Sequence, residues 1–114
     1  QGYLDDASFA RQFVRAKVLG PGLSRRRLQQ ELGRRGVARD IADAAIADVM
    51  TSDAIDTEAV LEAVALRKVR LMRREDPAVR RRRLYAYLAR RGYETEDIQR
   101  AIEHALRSTA DSES

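Results

Sequence analysis

The 114-residue sequence has no cysteine, no tryptophan, one histidine, two prolines, and only two lysines beside twenty arginines. Without cysteine there is no disulfide framework, no thiolate zinc site and no thiol nucleophile, and the composition fits a reducing compartment. No apolar run approaches the roughly 18 to 20 residues that cross a bilayer. The start, Gln1-Gly2-Tyr3-Leu4-Asp5-Asp6, lacks the basic and apolar regions of a signal peptide. No membrane contact is expected, and cytoplasm is the expected location. The missing initiator Met reads as a piece of a longer chain whose N-terminal segment is absent.

Catalysis finds little support. His104 has no Ser or Cys at a spacing that would make it the base for a nucleophile, so it reads as a solvated or capping residue. Asp5-Asp6 are neighbours in sequence whose side chains point apart, and they read as a helix cap. Phosphate loops, metal-ligand spacings and dinucleotide fingerprints are all missing. The expectation is a protein that is not an enzyme, with no catalytic residue, no metal and no cofactor.

What the sequence has is arginine. Its guanidinium pairs bidentately with phosphate or carboxylate and sheds water more readily than an ammonium, which suits polyanions and acidic protein patches. The net charge of +4 conceals an asymmetry: residues 67–91 hold eleven Arg and Lys against Glu75 and Asp76, while 48–62 and 92–114 are net acidic. The positive charge is a patch.

Apolar residues recur every three or four positions, which predicts an all-α fold. The first helix follows an Asp5 or Asp6 cap, turns Phe9, Phe13, Ala16 and Ala10 inward, and ends at Gly20-Pro21-Gly22. The second starts at Ser24, buries Leu28 and Leu32, and stops at Gly36. The third runs from about Arg39 to Met50 with Ile41, Ala45, Ile46 and Val49 inward. A fourth runs from Asp56 or Thr57 through Val60, Val64, Val69 and Met72 to about Arg74. A fifth opens at Asp76-Pro77, buries Leu84 and Leu88, and ends at Gly92. The sixth carries Ile98, Ala101, Ile102 and Leu106 from a Thr95 cap to about Arg107.

At an offset of 56, Pro21, Arg25, Leu28, Leu32, Arg34-Arg35-Gly36, Ala45 and Ile46 coincide with Pro77, Arg81, Leu84, Leu88, Arg90-Arg91-Gly92, Ala101 and Ile102. That is an internal repeat. The expected organisation is a three-helix repeat over 1–52, a second over 53–107, and a disordered tail over 108–114, with the repeats in an elongated, curved arrangement.

On a helical wheel with Leu28 at zero, Arg26 falls near about 160°, and Arg27 and Arg34 near about −100° and −120°. Arg82, Arg83 and Arg90 repeat those angles around Leu84. These six arginines are the candidate partner- or DNA-binding residues, with Arg67, Arg70, Arg73 and Arg74 as a secondary basic group. Leu28-x3-Leu32-x3-Gly36 followed by a helix imitates a DNA-reading helix-turn-helix. The would-be recognition helix, however, holds one Arg against Asp40, Asp43 and Asp48, the wrong sign for a groove lined by phosphates. Any nucleic-acid contact is expected to be backbone-directed and indifferent to sequence.

Three stretches stand out together: Gly2-Tyr3-Leu4-Asp5-Asp6-x-x-Phe9-Ala10; then Gly20-Pro21-Gly22 leading to Arg27-Leu28-x-x-Glu31-Leu32-x-x-x-Gly36-Val37; and Arg90-Arg91-Gly92-Tyr93 with Ile98 beyond. In these the sequence resembles the RecX family, regulators of the bacterial recombinase RecA. The resemblance implies the middle and last of three tandem three-helix repeats. It further implies a small cytoplasmic modulator, expected as a monomer, that lodges in the groove of the RecA filament. There it would restrain ATP hydrolysis, strand exchange and repressor cleavage in DNA repair and the SOS response. The charge geometry adds single- or double-stranded DNA, held through phosphates, as a partner. The alternative is a sequence-independent nucleic-acid-binding module that acts without RecA.

Overall fold

The computed structural model describes residues 5–113, with side-chain surroundings up to residue 110, so Gly2-Tyr3-Leu4 and Ser114 lie outside the described residues. Six helices follow one another: α1 (Asp6–Leu19), α2 (Arg25–Arg34), α3 (Arg39–Ser52), α4 (Thr57–Arg70), α5 (Pro77–Arg90) and α6 (Thr95–Glu113). No strand occurs among the described residues. The chain is all-α and consists of two three-helix repeats, α1–α3 and α4–α6, each a compact unit, with the division between Asp56 and Thr57.

The helix ends explain the punctuation. Asp5 Oδ1 accepts the Ser8 N–H at 3.0 Å, and Ser24 Oγ accepts the Arg27 N–H at 3.1 Å. Asp76 Oδ1 accepts the Ala78 N–H at 3.0 Å, with Pro77 as the first helical residue. At the end of α2 the Val37 N–H reaches back to the Leu32 carbonyl at 3.0 Å and the Gly36 N–H to that of Gly33. Gly36, at φ 84°, supplies the left-handed residue such a closure requires, and Gly92 does the same after α5 at φ 94°. At Gly20 a side chain is barred by close approach, since an added Cβ would stand 2.9 Å from the Ala16 carbonyl oxygen.

In the first unit α1 lies chiefly on α3, and α2 closes the triangle. Its buried residues are Ala10, Val14 and Val18 from α1, Leu28 and Leu32 from α2, Val37, and Ala42, Ala45, Ile46, Val49 and Met50 from α3. This corrects the expected inner face of α1. Ala10, Val14 and Val18 recur every four residues and point inward, while Phe9 is 44% exposed, Phe13 half-buried and Ala16 exposed. In α3, Ile41 is only half-buried and Ala42 takes the inner position. In the second unit one cluster joins Leu61, Val64, Ala65, Val69 and Met72 to Leu84, Leu88, Ile98, Ala101, Ile102 and Ala105.

Three boundaries differ from expectation. Residues 53–56 close the first unit instead of opening the second: the Ile55 N–H donates to the Met50 carbonyl at 2.9 Å, and Asp53 pairs with Arg15 of α1 at 3.0 Å. The left-handed residue of that closure is Ala54, at φ 51°. Helix α4 stops at Arg70, and residues 71–74 form turns in which Met72 is still buried. The extended backbone of Asp76, which caps α5 and precedes Pro77, keeps α4 from running on into α5. Helix α6, expected to end near Arg107 before a disordered tail, continues to Glu113. Its four-residue inward period carries on from Ala105 to Thr109, which is buried and donates its hydroxyl to the Ala105 carbonyl at 2.9 Å.

Candidate anion-binding faces

Helix α2 organises its arginines around one carboxylate. Glu31 Oε2 accepts from Arg27 Nε at 3.0 Å and from an Arg34 terminal nitrogen at 2.9 Å, while Oε1 accepts from Arg35 at 2.9 Å. The side chain of Glu31 is 15% exposed. The Arg35 hydrogen bond first, and then the Arg27 and Arg34 charges, hold its carboxyl below the usual range against the opposing effect of burial. Arg35 also lies over the Phe13 ring, 4.6 Å from its centroid, with Lys17 at 5.6 Å. Arg27 and Arg34, expected to face a partner, are thus engaged inside their own unit. The spacings of three and four residues that bring these arginines to Glu31 are visible in the sequence and were the available signal. Arg26 is exposed and lines a cleft of about 410 Å³ with Gln29, Gly33 and Arg39.

Helix α5 is arranged differently. Tyr87 stands at the position equivalent to Glu31, and cations gather on its ring: Arg91 at 3.7 Å from the centroid and Lys68 of α4 at 4.7 Å. Arg83 pairs with Glu75 at 2.7 Å, and Arg81 with Glu103 of α6 at 2.7 Å. The Arg81 hydrogen bond lowers the Glu103 carboxyl, and the same contact raises Arg81. Arg90 and Arg73 are exposed. The side chains of Arg67, Arg70, Arg74 and Arg82 are exposed and have no hydrogen bond or ion pair among the described residues. The six arginines chosen from the wheel therefore do not form two equivalent stripes. Arg27 and Arg34 of α2 are neutralised at home, and most of the exposed arginines without a side-chain partner among the described residues, Arg67, Arg70, Arg74 and Arg82 against Arg25, belong to the second unit.

His104 is 47% exposed on its side chain, with Nε2 4.0 Å from Glu62 Oε1, beyond hydrogen-bond distance. Tyr93 is half-buried beside Leu61 and Ala101, and burial pushes its hydroxyl up to about 12. Among the described residues no three His, Cys, Asp or Glu side chains are placed to hold a metal ion, and no helix is long and apolar enough to cross a membrane.

Two three-helix repeats with charged groups spread over helix faces define an all-α repeat module. Residues 5–46 match the family model for the RecX second three-helix domain, and residues 56–102 the model for the RecX third three-helix domain. The chain belongs to the RecX family. It is 36% identical over 105 residues to a protein named Regulatory protein RecX from Streptomyces coelicolor, covering 92% of this chain and 54% of that one. The protein of the same name from Thermobifida fusca is also 36% identical over 105 residues, covering 92% and 55%. That of Chlorobium phaeobacteroides is 29% identical over 107 residues, covering 94% and 66%. The chain spans about half the length of the first two relatives. No solved structure matches it.

Proposed function

We propose that the chain is a regulatory module that binds the filament RecA forms on DNA, lodges in its groove, and restrains ATP hydrolysis, strand exchange and repressor cleavage during DNA repair and the SOS response. The observation that carries this reading is the match of both repeats, in order, to the second and third RecX domains. A role of this kind needs complementary surface and no bond-making group, so we read the chain as a cytoplasmic binding protein, not an enzyme, with no cofactor. The exposed arginines supply the attraction to acidic side chains or to phosphates.

The unpaired arginines of the second repeat also favour a second reading, a nucleic-acid-binding module that acts on phosphates without RecA. One experiment separates the two. RecA's single-stranded-DNA-dependent ATPase is followed as the chain is titrated, beside the chain's binding to the same DNA alone at two salt concentrations. Substoichiometric inhibition with weak, salt-sensitive binding to bare DNA is the expected result. Inhibition only at DNA-saturating amounts would replace the first reading with the second.

A further inference from the structure

The exposed arginines with no partner among the described residues are unevenly shared. In the second unit Arg67 and Arg70 lie on the last turns of α4, and Arg74 on the turn that follows. Arg80, near the start of α5, has its Nε buried with no acceptor among the described residues. A buried guanidinium nitrogen without an acceptor is costly unless something else supplies one. On the helical wheel Arg80 lies near about −40° from Leu84, close to Tyr87 and Arg91. Lys68 of α4 sits on the Tyr87 ring, so this is the edge of α5 that meets α4. At the equivalent place in the first unit Glu31 gathers three arginines. Here an uncharged ring replaces it.

We propose that the end of α4, the turn over 71–76 and the α4-facing edge of α5 form a binding surface for a nucleic-acid phosphate backbone, and that the first unit contributes little to that contact. This deepens the reading above by assigning the DNA-facing chemistry to one repeat. A protein interface depends on a buried apolar or aromatic anchor. This surface offers one exposed apolar side chain, Leu71, and its aromatic ring is already covered by Lys68 and Arg91. Phosphates need only cations that are not otherwise satisfied, and several of them close together bind a polyanion by releasing its counterions.

The test uses the full chain and a dye-labelled 20-nucleotide oligo-dT at low and moderate salt. A variant carrying Arg67→Gln, Arg70→Gln and Arg74→Gln is compared with one carrying Arg11→Gln, Arg25→Gln and Arg39→Gln, which removes the same charge from the first unit. Glutamine keeps good helix propensity, and circular-dichroism melting confirms that both variants fold. The second-unit variant should lose at least about tenfold in affinity, and its log-log salt slope should fall by about 2. The first-unit variant should change by no more than about twofold. Equal losses, or no loss in the second-unit variant, overturn the proposal. A second-unit variant that holds the oligonucleotide normally but no longer inhibits RecA's ATPase assigns the surface to a protein and also overturns it, leaving the regulatory reading intact. Oligonucleotide binding that fails as expected, in a chain that never affects RecA, sinks the regulatory reading and keeps this one.

Discussion

At the scale of single residues, Glu31 sets the electrostatics of the first unit. Replacing it with Gln leaves Arg27, Arg34 and Arg35 without their shared carboxylate and should cost about 1 kcal/mol in urea unfolding, since the arginines are partly exposed. Because folding lowers the Glu31 carboxyl below its ordinary 4.5, its contribution is complete above that value and is lost as pH falls through the folded-state value. The Gln variant should lack this acid-dependent loss. Tyr93 behaves oppositely at the alkaline end: folding raises its hydroxyl from 10.0 to about 12. Its contribution is present below 10 and disappears as pH climbs towards 12, so urea unfolding followed through that range should show an alkaline loss of stability that a Tyr93→Phe variant lacks. Ala54 holds a left-handed conformation that costs an L-residue roughly 1–2 kcal/mol. Ala54→Gly should therefore raise stability by about 0.5 kcal/mol after the added freedom of the unfolded chain is counted.

At the scale of elements, α2 and α5 were legible because two leucines four apart and a terminal glycine leave one arrangement open. Helix α1 was not. Its two phenylalanines outweigh its valines in any reading by size, yet the close packing of α1 on α3 favours the slimmer Ala10, Val14 and Val18. Phe13 instead covers an edge, where Lys17 and Arg35 lie on its ring. Val14→Ala should accordingly cost about 2 kcal/mol in chemical denaturation, and Phe9→Ala under about 1 kcal/mol. The reach of α6 was missed for a related reason. Thr109 reads as polar, but its hydroxyl is satisfied by the Ala105 carbonyl, so it can occupy an inward position.

At the scale of the molecule, the charge count located the basic stretch at 67–91 but not which of its cations were already engaged. That depends on pairs distant in sequence, such as Arg81 with Glu103 and Lys68 with Tyr87, and on local ones whose partners the wheel did not weigh. The structure changes what a charge-reversal experiment should show. Arg83→Glu removes the Glu75 pair as well as a cation, so Arg83→Glu with Arg90→Glu should weaken DNA or filament binding at some cost in melting temperature. Arg67→Glu with Arg70→Glu should weaken it with little change in melting, because neither side chain holds the fold together. The turn between α4 and α5 has one more consequence, for digestion by trypsin. Most of the twenty-two basic residues lie within helices, where a protease cannot thread the backbone, whereas Arg73-Arg74 is exposed outside any helix. Limited trypsin treatment should nick the chain there first, inside the second repeat and not at the boundary between repeats, and a polyanion lying across that turn should slow the cut.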